Sequence, residues 1–303
     1  GTPLKSLLDK MRHNTFMDVY QNPLSLCIII CLLTSDEYQE DETRTDLYKR
    51  LYRFTLQKAT KRMKLSLKEL ERLYIKPLCQ LSFKCLCQGQ FILTDEDFRQ
   101  LNCDPEKVSR IGYISKQVVI KGIDSEEQYI FSHFTHIEFL AAKHLQHMTP
   151  DKRNDFLSRA YNESLFAFLY SLLEENVKAL VEMTSIMIKK SRFSKQTSNS
   201  FIPQCNLMMY LIAELKQRPP IKVQKLLADN SPSDIRCDDL LPSVFFKGLK
   251  VFLSIPGLKQ KSIRFSLEFF FDGVSDQYRK LMEQLVHCSH VERVTLCWGA
   301  SYR

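Results

Sequence analysis

The residues best placed to do chemistry gather in one stretch, Phe131-Ser132-His133-Phe134-Thr135-His136-Ile137-Glu138-Phe139-Leu140-Ala141-Ala142. A polar, β-prone run ends at His133, and an apolar run with helical spacing begins right after it. The join sets an imidazole at the edge of a strand or loop, beside the first turn of a helix. Helix N-termini attract phosphate, because their free backbone N–H groups point outward and the macrodipole is positive there. A neutral imidazole can donate one hydrogen bond to a phosphate oxygen, and a protonated one does so with charge assistance. The spacing His-x-x-His occurs at His133/His136, His144/His147 and His287/His290. Residues three apart share a helix face, so each pair offers one edge of a metal site. No third ligand accompanies any of them in the sequence, so surface or capping histidines are expected.

Other chemistries lack their residues. The chain has no Gly-x-x-x-x-Gly-Lys-Ser/Thr loop, and no run of acidic residues closes a hydrophobic strand to hold Mg²⁺. Gly-x-Ser-x-Gly and His-Glu-x-x-His are missing too. No nucleotide hydrolysis by these residues alone is expected. The 10 Cys include no Cys-x-x-Cys, and many sit in apolar helical runs, as Cys27, Cys31, Cys79, Cys85 and Cys87 do. Buried, reduced thiols acting as small hydrophobes are the expectation, and with them a cytoplasmic location. No charged-then-apolar leader opens the chain, so no signal peptide is expected. The most apolar run, Leu24 to Leu33, falls far short of the roughly 20 residues of a membrane helix and reads as a buried core helix.

A length of 303 residues allows two or three compact units. With 44% hydrophobic and 26% charged residues the composition is that of a globular protein, and only 8 Gly lean it towards helices. The net charge of +8 is mild and spread along the chain, so it does not call for nucleic acid. Lys58, Lys61, Arg62, Lys64 and Lys68 cluster, and a solvated helix face is the plainer reading of them.

Helical spacing covers residues 5–20. Asn22-Pro23 breaks it, and Pro at a first helical turn costs no hydrogen bond. Residues 46–60 and 66–88 read as amphipathic helices, the second opened by a Ser66/Glu69 capping box and closed by Gly89. Phe91-Ile92-Leu93 is a short strand candidate, and Thr94-Asp95-Glu96-Asp97 caps another helix. Lys116–Gly122 and Gln128–His133 alternate apolar and polar, with Asp124-Ser125-Glu126 between them, and read as a β-hairpin. A helix runs from His133 to about Met148, where Thr149-Pro150 ends it. Residues 151–245 are helical in pattern throughout, clearest at Asn162–Leu180 and Cys205–Leu215, with a polar loop at Lys189–Ser200 and a turn at Arg218-Pro219-Pro220.

Near the C-terminus, Arg264-Phe265-Ser266-Leu267-Glu268-Phe269 aligns with Arg293-Val294-Thr295-Leu296-Cys297-Trp298 at an offset of 29 residues. Asp276–Val286 between them has helical spacing. A strand, a helix and a strand at this period form the unit of a leucine-rich repeat. Two partial repeats cannot bury their faces alone, so further repeats are expected beyond Arg303.

The stretch 131–142 resembles the end of the winged-helix subdomain of NACHT-type nucleotide switches, the NOD-like receptors, where Phe-x-His-x-x-x-x-Glu-Phe-Leu-Ala-Ala recurs. The resemblance implies a mainly α fold: helical subdomains around a winged helix with a small β-hairpin, then the start of an α/β leucine-rich repeat. Residues 1–40 would be the end of the first helical subdomain, 41–146 the winged helix, 147–245 the second helical subdomain, and 246–303 the first repeats. It further implies that His133 touches the β-phosphate of bound ADP and that Pro23 packs against adenine, with ADP/ATP held chiefly by a P-loop domain before Gly1. Ile137 stands where the family usually has Gln, so the polar contact of that Gln is not expected. The implied partners are the N-terminal nucleotide-binding domain of the same protein, further copies of itself on activation, and an unknown ligand sensed through the repeats. Neither nucleic acid nor a membrane span is expected, and slow ATP hydrolysis is left open for the intact parent. A helical scaffold that only binds other proteins is the alternative, and a DNA-binding winged helix a third reading.

Overall fold

The computed structural model describes residues 43–121, 124–160, 162–193, 204–231, 234–238, 243–256, 258, 263–269 and 291–298, with Leu26, Ile30 and Glu283. The chain is mainly helical, with a three-stranded antiparallel sheet and a three-stranded parallel one. It divides into two compact units, Gly1–Thr149 with Asn162–Leu172, and Pro150–Tyr161 with Leu173–Arg303. Pro23 lies outside the described residues, as do most of Leu24–Leu33 and all of Asp276–Val286 except Glu283.

In the first unit, α1 (Arg44–Met63) starts at Thr43, whose hydroxyl accepts from the Asp46 amide, and stops at Lys64 in the left-handed region. The Ser66/Glu69 capping box forms as expected and opens α2 (Leu67–Leu70). The 66–88 helix is not uniform. A π-turn, Glu71–Ile75, interrupts it before α3 (Lys76–Gln88), which ends at Gly89 with φ 64°. That backbone angle suits glycine, because a Cβ would crowd the following carbonyl. β1 (Ile92–Leu93), α4 (Asp95–Arg99) and α5 (Pro105–Ser109) follow. Asp104 caps α5 through the Glu106 and Lys107 amides, a short helix not anticipated from the sequence.

β2 (Ile114–Lys121) and β3 (Asp124–Phe131) form the expected antiparallel hairpin, but Asp124-Ser125-Glu126 belongs to the strand, not the turn. These residues pair with Lys121, Ile120 and Val119, because continuing the two-residue alternation completes the ladder. β1 adds to the other edge of β3, giving the order β1-β3-β2. α6 (Phe134–His147) leaves directly from the end of β3. It packs its buried face, including Ile137, Phe139, Leu140, Ala141 and Leu145, on α3 and on α8 (Glu163–Leu172, which follows α7 below).

In the second unit, α7 (Pro150–Arg159) packs on α9 (Val177–Phe193). Arg153 and Asn154 both meet the Glu182 carboxylate, at 3.7 and 3.1 Å. The single helix expected over Asn162–Leu180 is therefore two, α8 and α9. Asn176 ends the gap by accepting from the Ala179 amide, a start signal that follows Glu174-Glu175. Lys189–Phe193 continue α9 instead of opening a loop. α10 (Gln204–Ala213), α11 (Ile221–Asp229), β4 (Asp234–Asp238), α12 (Ser243–Leu253), β5 (Ile263–Phe269) and β6 (Val291–Trp298) are the remaining elements among the described residues of the unit. β4 corrects the all-helical reading of 151–245, since it pairs in parallel with β5. β5 pairs in parallel with β6, Arg264 opposite Arg293 through Phe269 opposite Trp298, which is the sequence offset of 29 residues.

Candidate functional site

His133 is the N-cap of α6, with φ −161° and ψ 148°. The strand end before it is pinned, because Ser132 donates to the Tyr113 carbonyl from its amide at 2.9 Å and from its hydroxyl at 2.7 Å. The junction expected from the sequence is thus present, and the imidazole takes the place that Ser, Thr, Asp or Asn usually fills.

The hydrogen bonds set the tautomer. The Thr135 amide donates to His133 Nδ1 at 3.3 Å, so Nδ1 carries a lone pair. The Thr135 hydroxyl lies 2.7 Å from the same nitrogen and, by the same reasoning, donates to it. Tyr48 in turn meets that hydroxyl, and with the Thr135 proton committed to the ring the phenol is the donor. A chain of donors, Tyr48 to Thr135 to Nδ1, leaves the neutral ring with its proton on Nε2. Burial, with a smaller contribution from the Arg44 guanidinium, pushes the His133 pKa below its ordinary value, so the neutral form prevails at pH 7. The ring is half-buried.

Arg44, the first residue of α1, donates to the Ser164 hydroxyl at 3.1 Å and lies 5.1 Å from the centre of the Phe168 ring. Glu138 is buried on α6. Burial pushes its carboxyl up, while Arg44, Asn162 and Ser164 pull it down. The N-terminus of α6 therefore sits over a polar group drawn from α1, α6 and α8. Tyr48, Arg44 and Glu138 were not expected in it. Their partners lie far away in the chain, and only the family pattern marked Glu138.

His136 departs from the expectation of a surface or capping residue. It is only 4% exposed, with the rings of Tyr48 and Tyr113 steeply inclined to its own at 6.0 and 5.4 Å between ring centres. Its Nδ1 is buried without a hydrogen-bond partner. Burial, aided by His133, lowers its pKa to about 4. His144 packs against Phe83 at 5.2 Å and is held below its ordinary pKa, first by burial and then by His147. His287 and His290 lie outside the described residues. No three metal-ligating side chains converge among the described residues.

Lys58, Lys61, Arg62, Lys64 and Lys68 are exposed at the end of α1 and the start of α2, in keeping with a solvated helix face. Lys61 and Arg62 occupy the last turn of α1, where positive charge offsets the macrodipole. Cys79, Cys85 and Cys103 are free and buried, and burial raises the Cys79 thiol to about 12. Cys87 is free but exposed, so the expectation of buried thiols fails there. Among the described residues no helix is long and apolar enough to cross a membrane. No protein-family model matches the chain, and no curated protein matches its sequence.

Proposed function

We propose that this chain carries the latch of a NOD-like receptor: a winged helix whose His133 holds the β-phosphate of ADP, followed by a second helical subdomain and the first leucine-rich repeats. The observation that carries the reading is the donor chain ending on Nδ1. It commits His133 to presenting an Nε2–H, the form a phosphate oxygen accepts from, at the positive end of a fourteen-residue helix. The small sheet with helices before and after it supports the winged-helix assignment. Parallel strands in register at the sequence period support the repeats.

In this reading ADP sits on a P-loop domain upstream and bridges to Pro23 through its base and to His133 through its phosphate. The bond latches the winged helix in a closed form. Exchange for ATP, with a ligand sensed by the repeats, releases it and exposes an oligomerisation surface. A ligand shifts such an equilibrium only by its differential affinity for the two forms. A hydrogen bond to a charged group is worth about 1.5–3 kcal/mol, enough to move populations more than tenfold.

The test is the assembly state of the natural full-length protein purified with ADP. His133→Leu moves it from monomer to larger assemblies. A monomeric variant retaining its ADP would contradict the latch and favour a helical scaffold without a nucleotide role.

A further inference from the structure

The two edges of the antiparallel sheet are finished differently. β1 is two residues long, and its Ile92 carbonyl accepts from the Gln90 side chain at 3.0 Å. An edge so short and so occupied offers little to another strand. β2 is eight residues long, and among the described residues no strand pairs with its outer side. In an antiparallel pair alternate residues turn both N–H and C=O away from the partner, so that side presents a row of backbone groups to solvent.

The side chains of β2 do not guard this edge. Val118 is 59% exposed and Ile120 77%. The two-residue period puts them on the same face as Ile114, which is buried. Gln117, Ser125 and Glu127 are exposed as well, so this half of the hairpin stands clear of the core. A lysine on an edge strand ordinarily discourages pairing. The ammonium of Lys116, however, is held by Glu106 at 2.5 Å and by Glu127 at 2.8 Å, which offsets its charge. From Gln117 to Ile120 the strand carries no charge, and Val118, Val119 and Ile120 are β-branched, the residue type that favours strands.

The pattern is complementary to itself. A two-fold axis perpendicular to the sheet at Val119 sets two copies of β2 antiparallel. Val119 then stands opposite Val119 of the second copy, Val118 opposite its Ile120, and Gln117 opposite its Lys121. Every apolar residue of this stretch meets an apolar residue on the same face, and no like charges meet. Cross-strand pairs of this kind stabilise a ladder. A patch that matches itself about a two-fold axis is what a symmetric dimer needs. We infer that β2 pairs with β2 of a second copy of this chain about Val119, joining two three-stranded sheets into one. The inference does not rest on the nucleotide reading, and it needs neither ADP nor an upstream domain.

The experiment follows the 303-residue chain, without nucleotide, by sedimentation velocity as its concentration is raised. A monomer–dimer equilibrium is expected. Val118→Lys/Ile120→Lys changes two exposed side chains and leaves the hairpin's own pairing in place. It sets like charges opposite each other across the axis and weakens association by roughly 10-fold or more. Cysteine substitution reads the register. Directly opposed residues lie about 4.5–5.5 Å apart at Cα, within the span of a disulfide. Under mild oxidation Val119→Cys gives a covalent dimer. Gln117→Cys, which faces Lys121 and not its own copy, gives none beyond that formed by the unsubstituted chain with its native cysteines. Three outcomes overturn the inference: a chain that stays monomeric at every concentration, a double variant that associates as well as the parent, or equal cross-linking by the two cysteine variants.

Discussion

A histidine that caps a helix through Nδ1 has only one nitrogen left to offer a ligand. At His133 that nitrogen is Nε2, and Thr135 is what keeps the proton there. In Thr135→Val the hydroxyl is gone and only the longer amide contact remains, so the preference for the Nε2–H tautomer should weaken and the Nδ1–H form should gain population. Side-chain ¹⁵N shifts of His133 should then move from a single Nε2–H form towards a mixture. Unchanged shifts would show that the hydroxyl does not set the tautomer. His136 makes a separate prediction. Its folded pKa of about 4 lies below the ordinary 6.5, so the unfolded state takes up the proton first as pH falls. The stability it contributes is complete above pH 6.5 and is lost as pH drops towards 4. The difference of two to three pH units corresponds to a loss on the order of 3 kcal/mol. Glu138, raised chiefly by burial, slopes the other way, so the measurement is the difference in urea stability between wild type and His136→Phe. That difference should vary between pH 6.5 and 4, and a constant difference would contradict a neutral buried imidazole. The strand–helix junction at His133 was legible because the strand pattern and the helix pattern meet at one residue. Tyr48 and Arg44 were not, since nothing in the local sequence of α1 points to a partner near residue 135 or 164.

Elements were legible where their ends are written locally. The Ser66/Glu69 box and Gly89 form as expected because each signal acts within four residues. Ser66→Ala should cost about 1 kcal/mol of stability, the usual worth of an N-cap, and no change in the denaturation midpoint would contradict its role. The misread elements depend on distant contacts. β4 became a strand because β5 offers it a parallel edge, which no pattern within Asp234–Asp238 reveals. The break between α8 and α9 falls at Leu173-Glu174-Glu175-Asn176, where the only helix-start signal is Asn176 and the glutamates are good helix formers. Gly248 shows the same dependence. It lies on α12 where the helix crosses α10, and a Cβ there would run into the Met209 carbonyl. Gly248→Ala should therefore destabilise the chain by about 1–3 kcal/mol or more, although alanine is the better helix former. A stabilised variant would mean that the two helices do not approach this closely.

At the scale of the whole molecule, period and pairing agree. Six residue pairs between β5 and β6 stand opposite each other at the spacing that relates their sequences, from Arg264 and Arg293 to Phe269 and Trp298. The two strands were legible from their matching sequences, and their pairing at the same offset is what a repeat stacked in register would produce. The division into two units was less so. Residues 162–172 join the first unit although 150–161 belong to the second, an exchange that local pattern does not encode. The nucleotide-switch reading makes a demand on the gene itself: the coding region upstream of Gly1 should specify a Gly-x-x-x-x-Gly-Lys-Ser/Thr loop. Sequencing that region would support the reading by finding the loop and weaken it by finding none. The most direct measurement is the rate at which ADP leaves the natural full-length protein, compared between wild type and His133→Leu. The account predicts release at least tenfold faster in the variant, the equivalent of about 1.4 kcal/mol or more. Equal rates would contradict it, because His133 would then hold no phosphate.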